Sequence, residues 1–170
     1  MSRFERTTCV IVACLAMPMA ATPAGGAEQA GNATAVNTQT TARLAPAGPR
    51  PLNPGTEVFR KDRVATDAGG TAQLLFLDNS TITIAPHSEV VIDEYVFDPA
   101  QGTGTITLQA TRGLLRFVGG QLSKREPVTV RTPSATIGIR GGIGFVQVED
   151  GGRTTAVLGF GEMTVEANGV

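Results

Sequence analysis

The chain has 170 residues with 14 basic and 15 acidic side chains, a formal net charge of −1, and 5% aromatic residues. A charge so close to neutral argues against a nucleic-acid-binding protein, which needs clustered Lys and Arg to neutralise phosphates. The scarcity of aromatic side chains argues against a surface on which bases stack.

The first residues have the features of a secretory signal peptide. Arg3 and Arg6 precede an apolar run, Cys9–Ala21, and the small residues Ala24–Ala27 follow it. The run is too short to span a bilayer as a helix. We therefore predict a signal peptide over residues 1–27. The mature chain is then expected to be periplasmic or secreted and to have no integral membrane span.

Other forms of processing stay open at this stage. Cleavage after Ala27 is expected, with Ala20 or Ala21 as alternative sites. The sequence Ile11–Cys14 loosely fits a lipoprotein cleavage box, and an uncleaved N-terminal anchor is a further alternative. Because both cysteines lie in the leader, we expect no disulfide and no thiol chemistry in the mature chain.

Residues 28–48 are mostly Ala, Gly, Asn, Thr and Gln, without an apolar period. Such a segment has too little apolar surface to offset the entropy lost on ordering, so we predict a flexible linker. Four prolines from Pro46 to Pro54 stiffen the entry to a folded domain. That domain is predicted over residues 49–170, which is enough chain to bury one core.

From Gly55 onward, apolar and polar residues alternate in short runs, and no long window has the 3.6-residue period of a helix. Turn-forming residues recur roughly every 8 to 12 positions, so the domain is predicted to be all-β. Leu75 and Leu77 lie opposite the other apolar residues of Thr71–Leu77, which predicts a strand covered on both faces. The predicted strands are two within Thr56–Thr66, then Thr71–Leu77, Thr81–Ala85, Ser88–Phe97, Thr105–Ala110, Gly113–Val118, Pro127–Arg131, a strand from Ala135, Ile143–Val148, Thr154–Leu158 and Glu162–Ala167.

Residues capable of catalysis or metal binding are sparse. His87 is the only histidine, and its neighbour Ser88 would point to the opposite face of a strand, which disfavours a hydrolase triad. Asp93 and Glu94 point to opposite faces for the same reason, so they do not form a glycosidase pair. We expect no enzymatic activity, no cofactor and no metal site.

The stretch Thr132–Phe145 organises the rest of the sequence. Apolar residues occupy every second position of Ala135–Ile139, as in a strand, and Pro133 belongs at the entry because proline cannot donate to a sheet ladder. The glycines that follow suit a close approach of two backbones or a tight bend. Arg140 lies among small and apolar residues, so we expect its guanidinium to be buried and bound to a carboxylate or to carbonyls.

Three blocks of sequence carry a family resemblance. They run over Asp62–Phe76, Asp78–Glu89 and Thr132–Gly141, the last reading Thr-Pro-x-Ala-x-Ile-Gly-Ile-Arg-Gly. In this order they resemble the FecR domain family, over roughly Gly55 to Val165. That family most often has Thr after Arg-Gly, where this chain has Gly142. The residues taken as the structural motif are Thr132, Pro133, Gly138, Arg140 and Gly141.

The resemblance also implies a fold and a function. The fold is a compact, twisted, solenoid-like stack of short strands, with a plain β-sandwich as the alternative. In the family, the domain takes part in the periplasm in passing an iron-siderophore signal from an outer-membrane receptor to a sigma factor. The anti-sigma and transmembrane segments usual in those regulators are not recognised here. We therefore expect a stand-alone, non-catalytic module that binds an envelope protein and no nucleic acid. The alternative is a structural or adhesive surface module with no sensory role.

The last predicted strand, Glu162–Ala167, is the candidate interaction edge. Met163 and Val165 form its apolar face, and members of the family often continue past this point with another strand. We predict that the edge is incompletely covered and that a partner adds a strand to it. The alternative is that Pro51–Phe59 folds back and covers the same edge.

Overall fold

Strands make up 63% of the part of the chain that the computed structural model describes, residues 27–37 and 40–167. The predicted signal peptide lies outside these residues, apart from Ala27. One short 3₁₀ helix, Leu122–Lys124, follows the ninth strand. The strands are β1 (Gln29–Val36), β2 (Thr40–Arg43), β3 (Arg50–Pro51), β4 (Glu57–Phe59), β5 (Arg63–Thr66), β6 (Ala72–Phe76), β7 (Thr81–Ile84), β8 (Glu89–Asp98), β9 (Thr103–Val118), β10 (Val128–Arg131), β11 (Ala135–Val148) and β12 (Thr154–Ala167).

The strands belong to one mostly antiparallel sheet, which is open and strongly curled into a half-barrel. The long strand β9 is its centre, because β9 pairs with β8 and β7 on one side and with β10 and β11 on the other. The inner face carries the core, in which alternate residues of nearly every strand are buried. The all-β prediction is confirmed, and the twisted stack of strands takes the form of a single curled sheet rather than a sandwich.

Among residues 27–37 and 40–167, no second layer covers the outer face of the half-barrel. Leu75 is 39% exposed and Leu77 is 50% exposed, while Leu74 and Phe76, which alternate with them, are buried. The prediction that this strand is covered on both faces is therefore wrong. Apolar side chains on the outer face of β6 meet solvent, because the sheet curls inward and packs only on its concave side.

The prediction of a flexible linker over residues 28–48 is wrong for β1 and β2. The first of these strands pairs with β4 and β6, and the second pairs with β3 and β5. Ala30, Ala33 and Ala42 are almost completely buried. Small residues are required here, since a Cβ on Gly31 would lie 2.1 Å from the Leu75 carbonyl oxygen. A small apolar area thus orders the segment because backbone pairing accompanies it.

Several predicted strands are continuous with their neighbours. Thr105–Ala110 and Gly113–Val118 form one strand, β9, which bends at Gly113 (φ +82°). The Ser88 hydroxyl fills the inside of the bend and accepts a hydrogen bond from the backbone N–H of Leu114 (2.9 Å). A glycine in a strand can therefore mark a bend rather than an end.

An ion pair between the partly exposed Arg50 and the buried Asp62 joins the N-terminal strands to the rest of the sheet. The Arg50 guanidinium donates to both carboxylate oxygens of Asp62, at 2.8 and 2.6 Å, and the Asp62 side chain is fully buried. Phe59 adds a backbone N–H bond to the same carboxylate (2.9 Å). The hydrogen bond to Asp62 raises the pKa of Arg50 above its already high ordinary value, so the guanidinium stays charged.

A second buried carboxylate, Asp78, is held by hydrogen-bond donors without net charge. It accepts bonds from the Ser80 N–H (3.1 Å), the Ser80 hydroxyl (2.6 Å) and the Leu122 N–H (3.2 Å). The Ser80 hydroxyl in turn accepts the N–H of Gly120 (2.9 Å). The turn between β6 and β7 is thereby fixed to the segment that follows β9. A buried charge is tolerated when such donors satisfy it.

Tyr95 on β8 completes this cluster. Its ring stacks on Phe76 with 5.3 Å between centroids, and its hydroxyl accepts the backbone N–H of Asp78 (3.1 Å). Burial, followed by the nearby Asp78 carboxylate, raises the pKa of Tyr95 well above its ordinary value. The folded protein therefore favours the neutral phenol.

We expect Asp78→Asn to lower the free energy of unfolding by about 1–3 kcal/mol, because an amide nitrogen would face the Leu122 N–H donor. Asp67→Asn is the matched control, since Asp67 is exposed and accepts hydrogen bonds through its backbone carbonyl. Urea unfolding of both variants measures the difference. Equal stability of the two variants would contradict the role given to Asp78.

A titration tests the burial of Tyr95. The chain has one tyrosine, so near-ultraviolet phenolate absorbance reports this residue alone. We expect the midpoint in the folded protein to lie well above the ordinary value of about 10. The resulting stabilisation is fully present below pH about 10 and is lost as pH rises toward the folded pKa, because only the unfolded chain ionises in that range. In Tyr95→Phe this loss should be absent. A midpoint near 10 in the folded chain would refute the burial.

Candidate interaction surface

The motif Thr132–Gly141 begins with a turn that hydrogen bonds of Thr132 hold closed. The Thr132 hydroxyl accepts the N–H of Ala135 and donates to the carbonyl of the same residue, both at 2.9 Å. Thr154, the first residue of β12, donates its hydroxyl to Thr132 at 2.7 Å. Pro133 lies before β11, as predicted. The turn thus joins the beginning of β11 to the beginning of β12.

The strand β12 is a long free edge of the sheet in the described part of the chain, where the short strands β3 and β4 are the other edges. It pairs along its length with β11 and with no other described strand. The opposite side of β11 is covered by β10 and then by β9. An edge of 14 residues therefore presents backbone donors and acceptors that the described sheet does not use.

A double bulge interrupts the pairing of β11 with β12. Arg140 lies opposite Glu162 and Ile143 lies opposite Phe160, so two glycines of β11 face one residue of β12. Gly142 has φ +69°, and a Cβ there would lie 1.7 Å from the Phe160 carbonyl oxygen. This close approach requires a residue without a side chain at position 142. It also explains why the two predicted strands on each side are one strand.

Two other glycines make room for side chains of β12. A Cβ on Gly138 would lie 2.6 Å from the Thr164 hydroxyl oxygen, and a Cβ on Gly144 would lie 3.0 Å from the terminal methyl of Met163. The predicted close approach of two backbones is found at Gly142, whereas at Gly138 and Gly144 the nearest atoms belong to side chains. Their effect is to hold the C-terminal half of β12 against β11.

Arg140 does not lie where the sequence predicts. It is exposed, on the outer face of β11 and opposite Glu162. The expectation of a buried guanidinium is wrong because its apolar neighbours, Ile139 among them, point to the inner face. Small residues around an arginine can leave its side chain exposed to solvent just as they can create a pocket for it.

Met163 and Val165, the two residues of the predicted interaction edge, differ in their exposure to solvent. Val165 is 56% exposed, although it lies opposite the fully buried Ile137. Met163 is partly buried and packs on the core beside Ile139. Both therefore lie on the inner face at the rim of the half-barrel, and Val165 is the more accessible of the two.

Sequence reasoning missed the apolar residues in the first half of β12. Phe160 is 73% exposed, and Val157 and Leu158 are about half exposed. The row of cross-strand neighbours from Phe160 runs through Ile143 and Val118 to Leu75 on β6, with Thr81 between the last two. An apolar band on the outer face thus reaches the free edge. The signal in the sequence was Val157-Leu158-Gly159-Phe160, a run too apolar for a solvated edge.

The segment Pro51–Phe59 does not cover this edge. Pro51 pairs with β2, and Glu57–Phe59 pairs with β1, so the segment is used in the N-terminal part of the sheet. That alternative is wrong.

The residues considered for catalysis are not brought together in the described chain. His87 is exposed, has φ +53°, and lines an open cleft with Arg112, Glu149 and Asp150. Asp93 forms ion pairs with Lys61 (2.5 Å) and Arg131 (3.4 Å) on the surface. Among the described residues, no group of three or more His, Cys, Asp or Glu could hold a metal ion, and no helix is long and apolar enough to cross a membrane.

We expect Gly142→Ala to destabilise the protein more than Gly141→Ala does. Both positions have a left-handed backbone, which costs an alanine about 1–2 kcal/mol. A Cβ on Gly141 meets no atom within 4 Å, whereas a Cβ on Gly142 collides with the backbone of β12. Thermal and urea unfolding measure the difference. If the two variants are equally stable, the bulge does not have this geometry.

Comparison with known proteins agrees with the motif. A family model described as FecR protein matches residues 62–162, which is more than half of the chain. No curated protein and no solved structure matches. The matched region runs from the buried carboxylate of Asp62 to Glu162, the first residue after the bulge in β12. It includes the Asp78 cluster and the whole Thr132–Gly141 motif. The chain therefore belongs to the FecR protein family.

Proposed function

We propose that this FecR-family chain is an exported, non-catalytic interaction module of the cell envelope, and that its protein partner binds along β12. The FecR family is generally involved in cell-surface signalling. A signalling domain needs a surface that recognises another protein, and β12 is the part of this fold best suited to that use.

The unpaired edge of β12 is the observation that carries the proposal. An exposed strand of 14 residues offers a row of N–H and C=O groups. A partner can complete these bonds by adding a strand, which supplies affinity through the main chain. Natural sheets usually shorten or cover such an edge, so a long open one favours a binding role.

The distribution of exposed apolar side chains supports the same surface. Eight large hydrophobic residues are exposed in the described chain, and four of them lie on β12. Scattered apolar residues need no explanation, but a concentration on one edge strand is typical of an interface. Val165 on the inner face and Phe160 beside the bulge would contact the partner's side chains together with Met163.

We also propose that the module is periplasmic or secreted and that it acts in signalling of the iron-siderophore type. The signal-peptide pattern of residues 1–27 supports export, and β1 begins at Gln29, directly after the predicted cleavage position. The family membership supports signalling. The finer link to iron rests on the family resemblance alone.

Site-specific photo-crosslinking in cells that express the chain tests this function. A photoreactive residue at position 165 should give crosslinks to one envelope protein. The same residue at position 101, in the exposed turn between β8 and β9, should not. Mass spectrometry identifies the crosslinked protein. An outer-membrane receptor supports the signalling proposal.

Two other outcomes would count against it. Crosslinks of equal yield at positions 165 and 101, or none at position 165, would remove β12 as the binding surface. Crosslinks at position 165 to a matrix or surface-layer component would replace signalling with the structural or adhesive role.

A further inference from the structure

The C-terminal half of β12 is the part of the edge that can accept a partner strand in regular register. From Glu162 to Ala167 it pairs with β11 residue by residue without a shift, while the shifts lie between Arg140 and Gly144 on β11. Bulges interrupt the even spacing of free backbone groups. A docking strand is therefore best accommodated along Glu162–Glu166.

The inner face of this half shows which side chains a partner needs there. Met163 and Val165 lie opposite Ile139 and Ile137, which are completely buried, yet Val165 is more than half exposed. The core thus ends at β12 with an apolar residue uncovered. Residues of an added strand that face Met163 and Val165 would continue the core, so these positions favour apolar side chains.

On the outer face of the same half, the charged residues of β12 are acidic, and the neighbouring strand β11 places the exposed Arg140 opposite Glu162 and Thr136 opposite Glu166. Glu162 and Glu166 are exposed with Thr164 between them, and the whole strand Thr154–Ala167 has no Lys, Arg or His. Residues of an added strand opposite the two glutamates would be stabilised if basic and destabilised if acidic. Charge complementarity therefore favours a partner with basic residues on this face.

A second copy of the chain fits this edge poorly. If two copies of Glu162–Glu166 paired antiparallel about Thr164, Glu162 of each copy would lie opposite Glu166 of the other. The apolar residues would match, but both charged pairs would be repulsive. The acidic face thus acts against self-association in the register that the inner face favours.

We propose that Glu162–Glu166 binds an extended segment of a partner protein with the five-residue pattern basic, apolar, any, apolar, basic. This inference rests on the proposed function, since it assumes that β12 is the binding edge, and it adds the chemistry of the partner. The pattern is symmetric, so it holds for a parallel or an antiparallel approach. Backbone bonds supply the affinity, and the two alternating faces supply the specificity.

Synthetic peptides test the pattern on the full chain by nuclear magnetic resonance titration. The first peptide has the core Lys-Val-Thr-Val-Lys, the second replaces both lysines by glutamate, and the third is the first with alternate backbone amides methylated. At low salt, we expect the lysine peptide to bind at least tenfold more tightly than the glutamate peptide, with the difference shrinking as salt rises. The chemical-shift changes that the lysine peptide causes in the chain should be largest at Glu162–Glu166.

Variants of the chain give the matched control. Glu162→Gln with Glu166→Gln should abolish the preference for the lysine peptide. Glu57→Gln with Glu126→Gln changes two exposed glutamates elsewhere and should leave the preference intact. All four side chains are exposed, so none of these substitutions is expected to unfold the protein.

The outcomes separate the partner chemistry from the binding edge. If lysine and glutamate peptides bind equally at β12 and the methylated peptide does not bind, the edge is correct and the basic pattern is overturned. If no peptide perturbs Glu162–Glu166, or if methylation has no effect, the edge itself is overturned. A chain that dimerises through β12 in sedimentation and excludes the lysine peptide would also refute the inference.

Discussion

The buried carboxylate of Asp78 is the interaction on which the arrangement of the sheet depends. Three donors without formal charge, two from Ser80 and one from Leu122, satisfy it. A charge this deep would be strongly destabilising without them, so the segment after β9 has to lie against the turn between β6 and β7. That segment leads into β10 and then into β11. The position of the β12 edge therefore depends on this hydrogen-bonded cluster, which lies beside the bulge of β11, since the N–H of Gly119 donates to the Gly142 carbonyl (2.8 Å).

Curvature is the second constraint, and glycine bends provide it. Strands as long as β9, β11 and β12 would make a flat sheet with a large uncovered face. The bend at Gly113 and the bulge at Gly142 let them wrap around one core without ending. The bend and the bulge curl the sheet without closing it, because the edge strands of a half-barrel do not pair with each other. An all-β domain of this size can thus be stable and still keep a strand for binding.

The two-residue alternation predicted most of the strands, because alternation is set locally by which side chains must face the core. It failed where stability comes from backbone pairing and not from apolar area, as in β1 and β2. It also failed at Arg140, where small neighbours suggested burial while the parity of the strand dictated exposure. The local turn at Asp78 was predictable from its side chains, but its distant partner Leu122 was not, since 44 residues separate them.

The candidate surface was predictable only in part for the same reason. Alternation identified Met163 and Val165 as one apolar face. The difference between a methionine packed on the core and a valine at its rim depends on the curl of the whole sheet. The exposed Phe160 depends on a bulge whose geometry involves two strands, and a single segment of sequence does not contain that information.

The ion pair between Arg50 and Asp62 separates two meanings of a domain. The sequence family is recognised from Asp62 onward, yet Asp62 is a buried carboxylate whose cation lies 12 residues earlier, on β3. The strands before Asp62 also complete the sheet through β5 and β6. The region that the family model matches is thus smaller than the folded unit. It begins at Asp62, one member of an ion pair, while the other member, Arg50, lies on a strand before the matched region.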